Sequence, residues 1–255
     1  MARIEDRGRV PLIRLRHVTK TFGAVEALVG FDLQVHPHQV VALVGDNGAG
    51  KSTVAKIISG VLQPDTGLLE LNGTPTQIPG PSAALSAGIA AVFQDLALCD
   101  NLDVTANIFL GRALHRHGLL DEDAMEQAAR RTLAMLNSDI PSVRTPVRAL
   151  SAGQRQSVAI ARALISNPRV IVLDEPTAAL SVVQTAEVLS HIERLRDVGL
   201  GVIFISHNMN DVRAVADRIE VMRHGRNNGS FEAATASYET VLAAITGAVR
   251  LQHAV

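Results

Sequence analysis

Val40-Val41-Ala42-Leu43-Val44-Gly45-Asp46-Asn47-Gly48-Ala49-Gly50-Lys51-Ser52-Thr53 is the stretch that decides the fold. Its first five residues form a continuous apolar run, as a strand buried on both faces requires. Gly45 to Ser52 then fits G-x-x-x-x-G-K-[ST], a loop whose backbone N–H groups converge on phosphate oxygens. Beyond it, Val54, Ile57, Ile58, Val61 and Leu62 recur at helical spacing and predict a helix over Lys51–Leu62, weakened at its end by Gly60. A glycine-rich turn with a chance lysine is the plainer alternative. The strand before and the helix after supply the context that phosphate binding needs. Gly45, Asp46, Asn47, Gly48, Ala49 and Gly50 cradle the phosphates, and the helix N-terminus adds roughly half a positive charge. Lys51 reaches the β- and γ-phosphates, the Ser52 hydroxyl ligates Mg²⁺, and Thr53 contacts the α-phosphate.

Outward from this loop, strands are expected at Leu12–Val18 and Leu28–Val35, and a short hairpin around Asn72-Gly73. A helix over Ser82–Ala87 leads to a buried strand at Ile89–Phe93. From Asp95 to Ile165 the pattern is mostly helical, clearest over Asp121–Leu136, and reads as an inserted helical subdomain. Strands at Arg169–Leu173 and Val202–Ile205 flank a helix over Val182–Val198 that Gly199 stops. Alternating strands and helices imply an α/β fold with a mostly parallel sheet.

The chain has 255 residues, 47% of them apolar, which suits a folded globular state. A net charge of −1 gives no electrostatic reason to expect nucleic acid as a partner. The single cysteine, Cys99, excludes an internal disulfide, fits a reducing compartment and reads as a small buried apolar residue. No apolar run reaches the ~18 residues of a membrane-spanning helix, and the polar N-terminus has no secretory core.

Three further sites carry chemistry. Val170-Ile171-Val172-Leu173-Asp174-Glu175 puts two carboxylates at the carboxyl end of a buried strand, where open parallel sheets bind ligands. Asp174 is positioned for Mg²⁺, directly or through water, and Glu175 to polarise an attacking water. Gln94 ends the strand Ile89–Phe93, where its amide reaches the metal or that water. His207 follows Val202–Ser206, where an imidazole donates to a γ-phosphate oxygen. The pairs His36/His38 and His115/His117 read as solvated loop residues. Leu150-Ser151-Ala152-Gly153-Gln154 opens a further helix, with Ser151 as N-cap and small residues leaving its positive end open to an anion.

In this order the motifs resemble those of the ABC-type ATPases, whose signature reads Leu-Ser-Gly-Gly-Gln where this chain has Ala152. The resemblance runs from Leu12 to Gly247. Over Ala91–Arg112 and Arg148–Leu164 it is nearest to ATP-binding subunits of bacterial monosaccharide importers of the ribose, xylose and fructose type. It implies a P-loop NTPase fold (RecA-like) with an N-terminal antiparallel β subdomain. One domain spans 10–255, with 10–94 and 166–255 as nucleotide-binding core, 95–165 as helical subdomain and 1–9 as a tail. It also implies ATP and Mg²⁺ as ligands, catalytic roles for Glu175, His207 and Gln94, and stacking of Phe22 on adenine. Ser151, Ala152, Gly153 and Gln154 would hold the nucleotide of a second subunit, in a C2 homodimer or with a sister ATPase chain. The partners implied are membrane permease subunits and, indirectly, a periplasmic sugar-binding protein, with the chain peripheral on the cytoplasmic face of the bacterial inner membrane. An ABC subunit for another small solute, or a non-transport ABC ATPase, is the alternative. The latter usually needs a coiled-coil insertion or a second ATPase unit, and neither is visible here. One departure concerns the interface: Ala178-Ala179-Leu180-Ser181 stands where the family has Ser-Ala-Leu-Asp, so an acid is missing at Ser181.

Overall fold

The computed structural model describes residues 10–248; the expected tail and the last residues of the expected domain lie outside them. The chain opens with β1 (Ile13–Phe22) and β2 (Val25–Val35), a hairpin paired from Ile13↔Val35 to Phe22↔Val25. Next come β3 (Gln39–Val44), α1 (Lys51–Ile58), β4 (Thr66–Leu71), β5 (Thr74–Pro75), α2 (Pro81–Ser86), β6 (Ile89–Val92) and α3 (Val104–Ile108). A two-stranded hairpin, β7 (His115–Arg116) and β8 (Leu119–Leu120), precedes α4 (Glu122–Leu136) and α5 (Ala152–Leu164). The remainder is β9 (Val170–Asp174), α6 (Val182–Asp197), β10 (Gly201–Ile205), α7 (Met209–Val215), β11 (Arg218–Arg223), β12 (Arg226–Glu232) and α8 (Tyr238–Thr246).

Six strands form the central sheet in the order β12-β11-β3-β10-β9-β6, parallel except for the β11–β12 edge pair. A second, antiparallel sheet has the order β2-β1-β4-β5. Both faces of the central sheet are covered, and the parity of its residues divides two cores. Val40, Ala42, Val44, Ile171, Leu173, Val202 and Phe204 pack with the helical side, including Val158 and Ile160 of α5 and Val212 of α7. Val41, Leu43, Val170, Val172, Ile203 and Ile205 pack with α1 and the antiparallel sheet, including Ile13, Leu15 and Phe31.

Several expectations change. The helix expected to Leu62 ends at Ile58, because Gly60 turns to φ +75° with a Cβ position 2.6 Å from the Gly80 carbonyl oxygen. The segment expected to be mostly helical contains the β7–β8 hairpin, closed by His117 at φ 54° and Gly118 at φ 83°, the left-handed pair of a type I′ turn. The buried stripe of α4 is Met125, Ala129, Leu133 and Leu136, with Ala124 and Ala128 at its margin. His36, expected in solvent, is buried at the end of β2, whereas His38, His115 and His117 are exposed. Cys99 is half-buried, its backbone N–H held by the Asn107 side chain at 2.7 Å. Among the described residues no helix is long and apolar enough to cross a membrane.

Candidate functional site

The carboxyl ends of β3, β6, β9 and β10 converge on one cleft of about 510 Å³, lined by Asn47, Gly48, Gly50, Lys51, Ser52 and Thr53, with Gln94, Glu175, Ala178 and His207. Its third wall is Val25, Glu26 and Ala27 at the start of β2. No motif marks these residues; the β1–β2 hairpin carries them there.

The loop between β3 and α1 needs its glycines. Gly50 has φ +107° and a Cβ position only 2.5 Å from the Ala27 carbonyl oxygen; Gly45 has φ +152° and one 2.2 Å from that of Met222. Any side chain there would collide with backbone, so β2 and β11 press directly on the loop. Lys51 is buried and curls back, donating to the carbonyls of Gly45 at 2.7 Å and Asp46 at 2.9 Å. Burial lowers its pKa, while the carboxylates of Glu175, Asp174 and Asp46 pull it back up. The ammonium is therefore held by two backbone carbonyls close to three carboxylates.

Asp174 closes β9 in a buried position. Desolvation raises its pKa, the Ser52 hydroxyl hydrogen bond lowers it, and Glu175 raises it further. Its Oδ1 is buried without a hydrogen-bond partner among the described residues. Such an orphaned carboxylate oxygen beside a serine hydroxyl fits a hard divalent cation such as Mg²⁺. Among the described residues no three His, Cys, Asp or Glu side chains are placed to hold a metal ion by themselves, so an ion here would need further oxygens from outside that set.

Glu175 has φ 52°, a left-handed conformation that costs a non-glycine residue about 1 kcal/mol or more. Its N–H donates to the Ile205 carbonyl at 3.0 Å, tying it to the end of β10. The turn aims its carboxylate into the cleft, where Oε2 lies 2.9 Å from His207 Nδ1. Thr177 Oγ1 donates to the buried Asp211 carboxylate at 2.7 Å, which anchors the loop after Glu175 to α7. Sequence reading did not single out that anchor.

Two expected groups stand apart from this cleft. Phe22, at the β1–β2 turn, is 47% exposed and outside the lining, with Lys20 Nζ 5.7 Å from its ring centre. Ser151, Ala152, Gly153 and Gln154 lie at the start of α5, also outside it. There Ser151 accepts from Gln154 N–H at 3.2 Å and Gln154 Oε1 accepts from Ser151 N–H at 3.0 Å, a complete capping box. Ser151 and Ala152 are exposed; Gly153 is buried, its Cβ position 3.1 Å from Gln184 Cγ on α6. Ser181 caps α6 in the same way, its hydroxyl accepting from Gln184 N–H. Serine and aspartate cap helices about equally well, so the departure at Ser181 leaves the helix start intact.

The family described as "ABC transporter" matches residues 28–178. A ribose import ATP-binding protein of Yersinia pestis is 42% identical over 222 residues, 87% of this chain but 44% of that protein, so the chain spans about half the length of this relative. A xylose/arabinose import ATP-binding protein of Sulfolobus acidocaldarius is 45% identical over 215 residues, covering 84% of this chain and 86% of that protein. A solved dimeric ATP-binding cassette bound to ADP and Pi superposes with a TM-score of 0.74 at 26% identity, over 87% of this chain and 98% of that one. A glycine-rich loop, a carboxylate-ended strand and a second capped helix on one α/β frame thus meet a family model over more than half of the chain and a relative matched along most of its length, and the chain belongs to the ABC transporter family of ATP-binding proteins.

Proposed function

We propose that this chain binds ATP in the cleft around Lys51 and hydrolyses it to ADP and phosphate, energising uptake of a monosaccharide through a membrane permease. The observation that carries the reading is the convergence of Lys51, Ser52, Gln94, Glu175 and His207 on one cleft. The backbone N–H groups of Gly45–Ser52 hold the phosphates, and Lys51 leaves the Gly45 and Asp46 carbonyls for β- and γ-phosphate oxygens. Ser52, Asp174 and Gln94 would hold Mg²⁺, which supplies charge neutralisation on the phosphates when bound. Glu175 accepts a hydrogen bond from the attacking water and orients it in line with the γ-phosphorus. His207, now against Glu175 at 2.9 Å, donates to a γ-phosphate oxygen. Phosphoryl transfer needs such placement more than covalent help.

Phe22 is exposed, which suits a ring that stacks on adenine. The open start of α5 supports binding of a second subunit's nucleotide by Ser151–Gln154, in a homodimer or with a sister chain. Import of a pentose or related sugar follows the names of the relatives. The partners are then permease subunits and, through them, a periplasmic sugar-binding protein, with this chain on the cytoplasmic face of the membrane.

The test is phosphate release by purified chain with Mg²⁺ and ATP. Glu175→Gln, which keeps size and removes the charge, should lower turnover about a hundred-fold or more while ATP still binds. Turnover equal to the original would remove Glu175 from the chemistry. Reconstituted with its permease, the chain should release phosphate faster when the transported sugar is supplied.

A further inference from the structure

Behind the capped start of α5 lies a polar contact that the proposed chemistry leaves unused. Ser157, one turn into α5, is fully buried, and His191, in the middle of α6, is 1% exposed. Ser157 Oγ donates to the Gly153 carbonyl at 3.2 Å, and His191 Nε2 lies 2.8 Å from the same hydroxyl. The hydroxyl and Nε2 are hydrogen-bonded in either tautomer of the ring, Nε2–H donating to Ser157 or the Ser157 hydroxyl donating to Nε2. Glu187, one turn earlier on α6, stands 3.9 Å from Nε2. Serine, histidine and glutamate together suggest a nucleophilic set. The geometry excludes it, because Glu187 and Ser157 approach the same nitrogen and both Ser157 and His191 are closed to solvent.

The contact instead links two helix starts. Gly153 belongs to the Ser151–Gln154 cap, and its Cβ position is 3.1 Å from Gln184 Cγ and 3.3 Å from Glu187 Oε2. Gln184 in turn completes the cap at Ser181. The Gly153–Ser157–His191 chain is thus the buried hydrogen-bonded tie between the helix that begins at Ser151 and the helix that begins at Ser181. Burial keeps the imidazole neutral, with its pKa lowered to about 4, so the tie is a neutral hydrogen bond at ordinary pH. An apolar residue at 191 would fill the space and remove the imidazole's hold on the Ser157 hydroxyl.

We infer that His191 is a positioning residue that, through Ser157, fixes the start of α5 against the start of α6 and thereby sets how Ser151–Gln154 is presented to the nucleotide of a second copy. This rests on the two-copy reading under the proposed function. It also separates nucleotide binding in the cleft, which the tie does not touch, from ATP-dependent association, which it governs.

The experiment uses the Glu175→Gln chain, in which hydrolysis is suppressed, and compares it with the same chain carrying His191→Leu, His191→Gln or Ser157→Ala. ATP-dependent association is read by analytical ultracentrifugation over a concentration series, and single-chain nucleotide binding by titration with fluorescent ATP. His191→Leu and Ser157→Ala should weaken association roughly three- to ten-fold, the effect of one lost hydrogen bond, with nucleotide affinity unchanged. His191→Gln, whose amide still donates to Ser157, should recover association to within about two-fold. Should His191→Leu fail to fold, Ser157→Ala against His191→Gln carries the comparison alone. Association unchanged in the Leu and Ala variants, whatever their melting temperatures, overturns the inference while leaving the two-copy reading standing. An Glu175→Gln chain that binds ATP yet stays monomeric refutes the two-copy reading, and the inference falls with it.

Discussion

Replacing His191 by leucine should change how this protein responds to acid. In the folded chain burial lowers the His191 pKa from 6.5 to about 4, with Arg194 acting in the same direction. The Leu136 carbonyl, available to a protonated ring, opposes this and is the weaker influence. Of the charged groups nearby, Glu187 has its own pKa raised, chiefly by burial and then by Asp139. The unfolded chain takes up the histidine proton near 6.5 and the folded chain only near 4. Between those values the unfolded state binds more protons, so stability declines as pH falls through that window and levels off below it. At about 1.4 kcal/mol per pKa unit, the gap from 6.5 to about 4 amounts to about 3 kcal/mol in full. By pH 5 about 2 kcal/mol of it should already be lost. Leucine has no proton to take up, and its packing difference is a constant offset. Glu187 titrates in both chains with the opposite sign and largely cancels. Urea unfolding at pH 7.5, 6 and 5 should therefore show the original chain losing about 2 kcal/mol more than His191→Leu over that range. Parallel stability curves for the two chains would refute the reasoning.

Gly50→Ala places a β-carbon 2.5 Å from the Ala27 carbonyl oxygen at φ +107°, so it should cost about 2 kcal/mol or more and displace the loop. Thermal unfolding and nucleotide titration should both register the loss. Ser181→Asp keeps the cap of α6 and should hold stability within about 0.5 kcal/mol, whereas Ser181→Ala should lose about 1 kcal/mol; melting curves of the pair separate capping from any role in association.

The central strands were legible because their residues are apolar without alternation. Val40–Val44, Ile171–Leu173 and Val202–Ile205 are short, rich in β-branched residues and apolar throughout, the pattern of strands covered on both faces. The site was legible where it is continuous in sequence, at Gly45–Ser52 and at Asp174-Glu175. Sequence assigned those two acids different tasks but not their surroundings: Asp174 is buried, and a left-handed turn aims Glu175 into the cleft. β12 was invisible because Arg226–Glu232 is a polar edge strand paired on one side only. Its neighbour β11 hides a buried acid, Glu220, that accepts from Ser230 at 2.7 Å and pairs with Arg218 at 3.3 Å. α7 is too short for its period to register. The wall at Val25–Ala27 depends on hairpin geometry across sequence distance, and His36 looked solvated because Pro37 and His38 follow it.

The parity of the central strands has a consequence for how this chain tolerates change. Neighbouring residues such as Val41 and Ala42 answer to different halves of the molecule. A substitution on the face of Val41, Val172 and Ile203 must be accommodated by α1 and the antiparallel sheet; one on the face of Ala42, Ile171 and Val202, by the helical side. The two halves can therefore diverge almost independently, so that the helical half adapts to new assemblies while the other keeps its grip on the loop. Only the strand ends, where Gly45, Asp174 and Ser206 leave the sheet, belong to both histories at once.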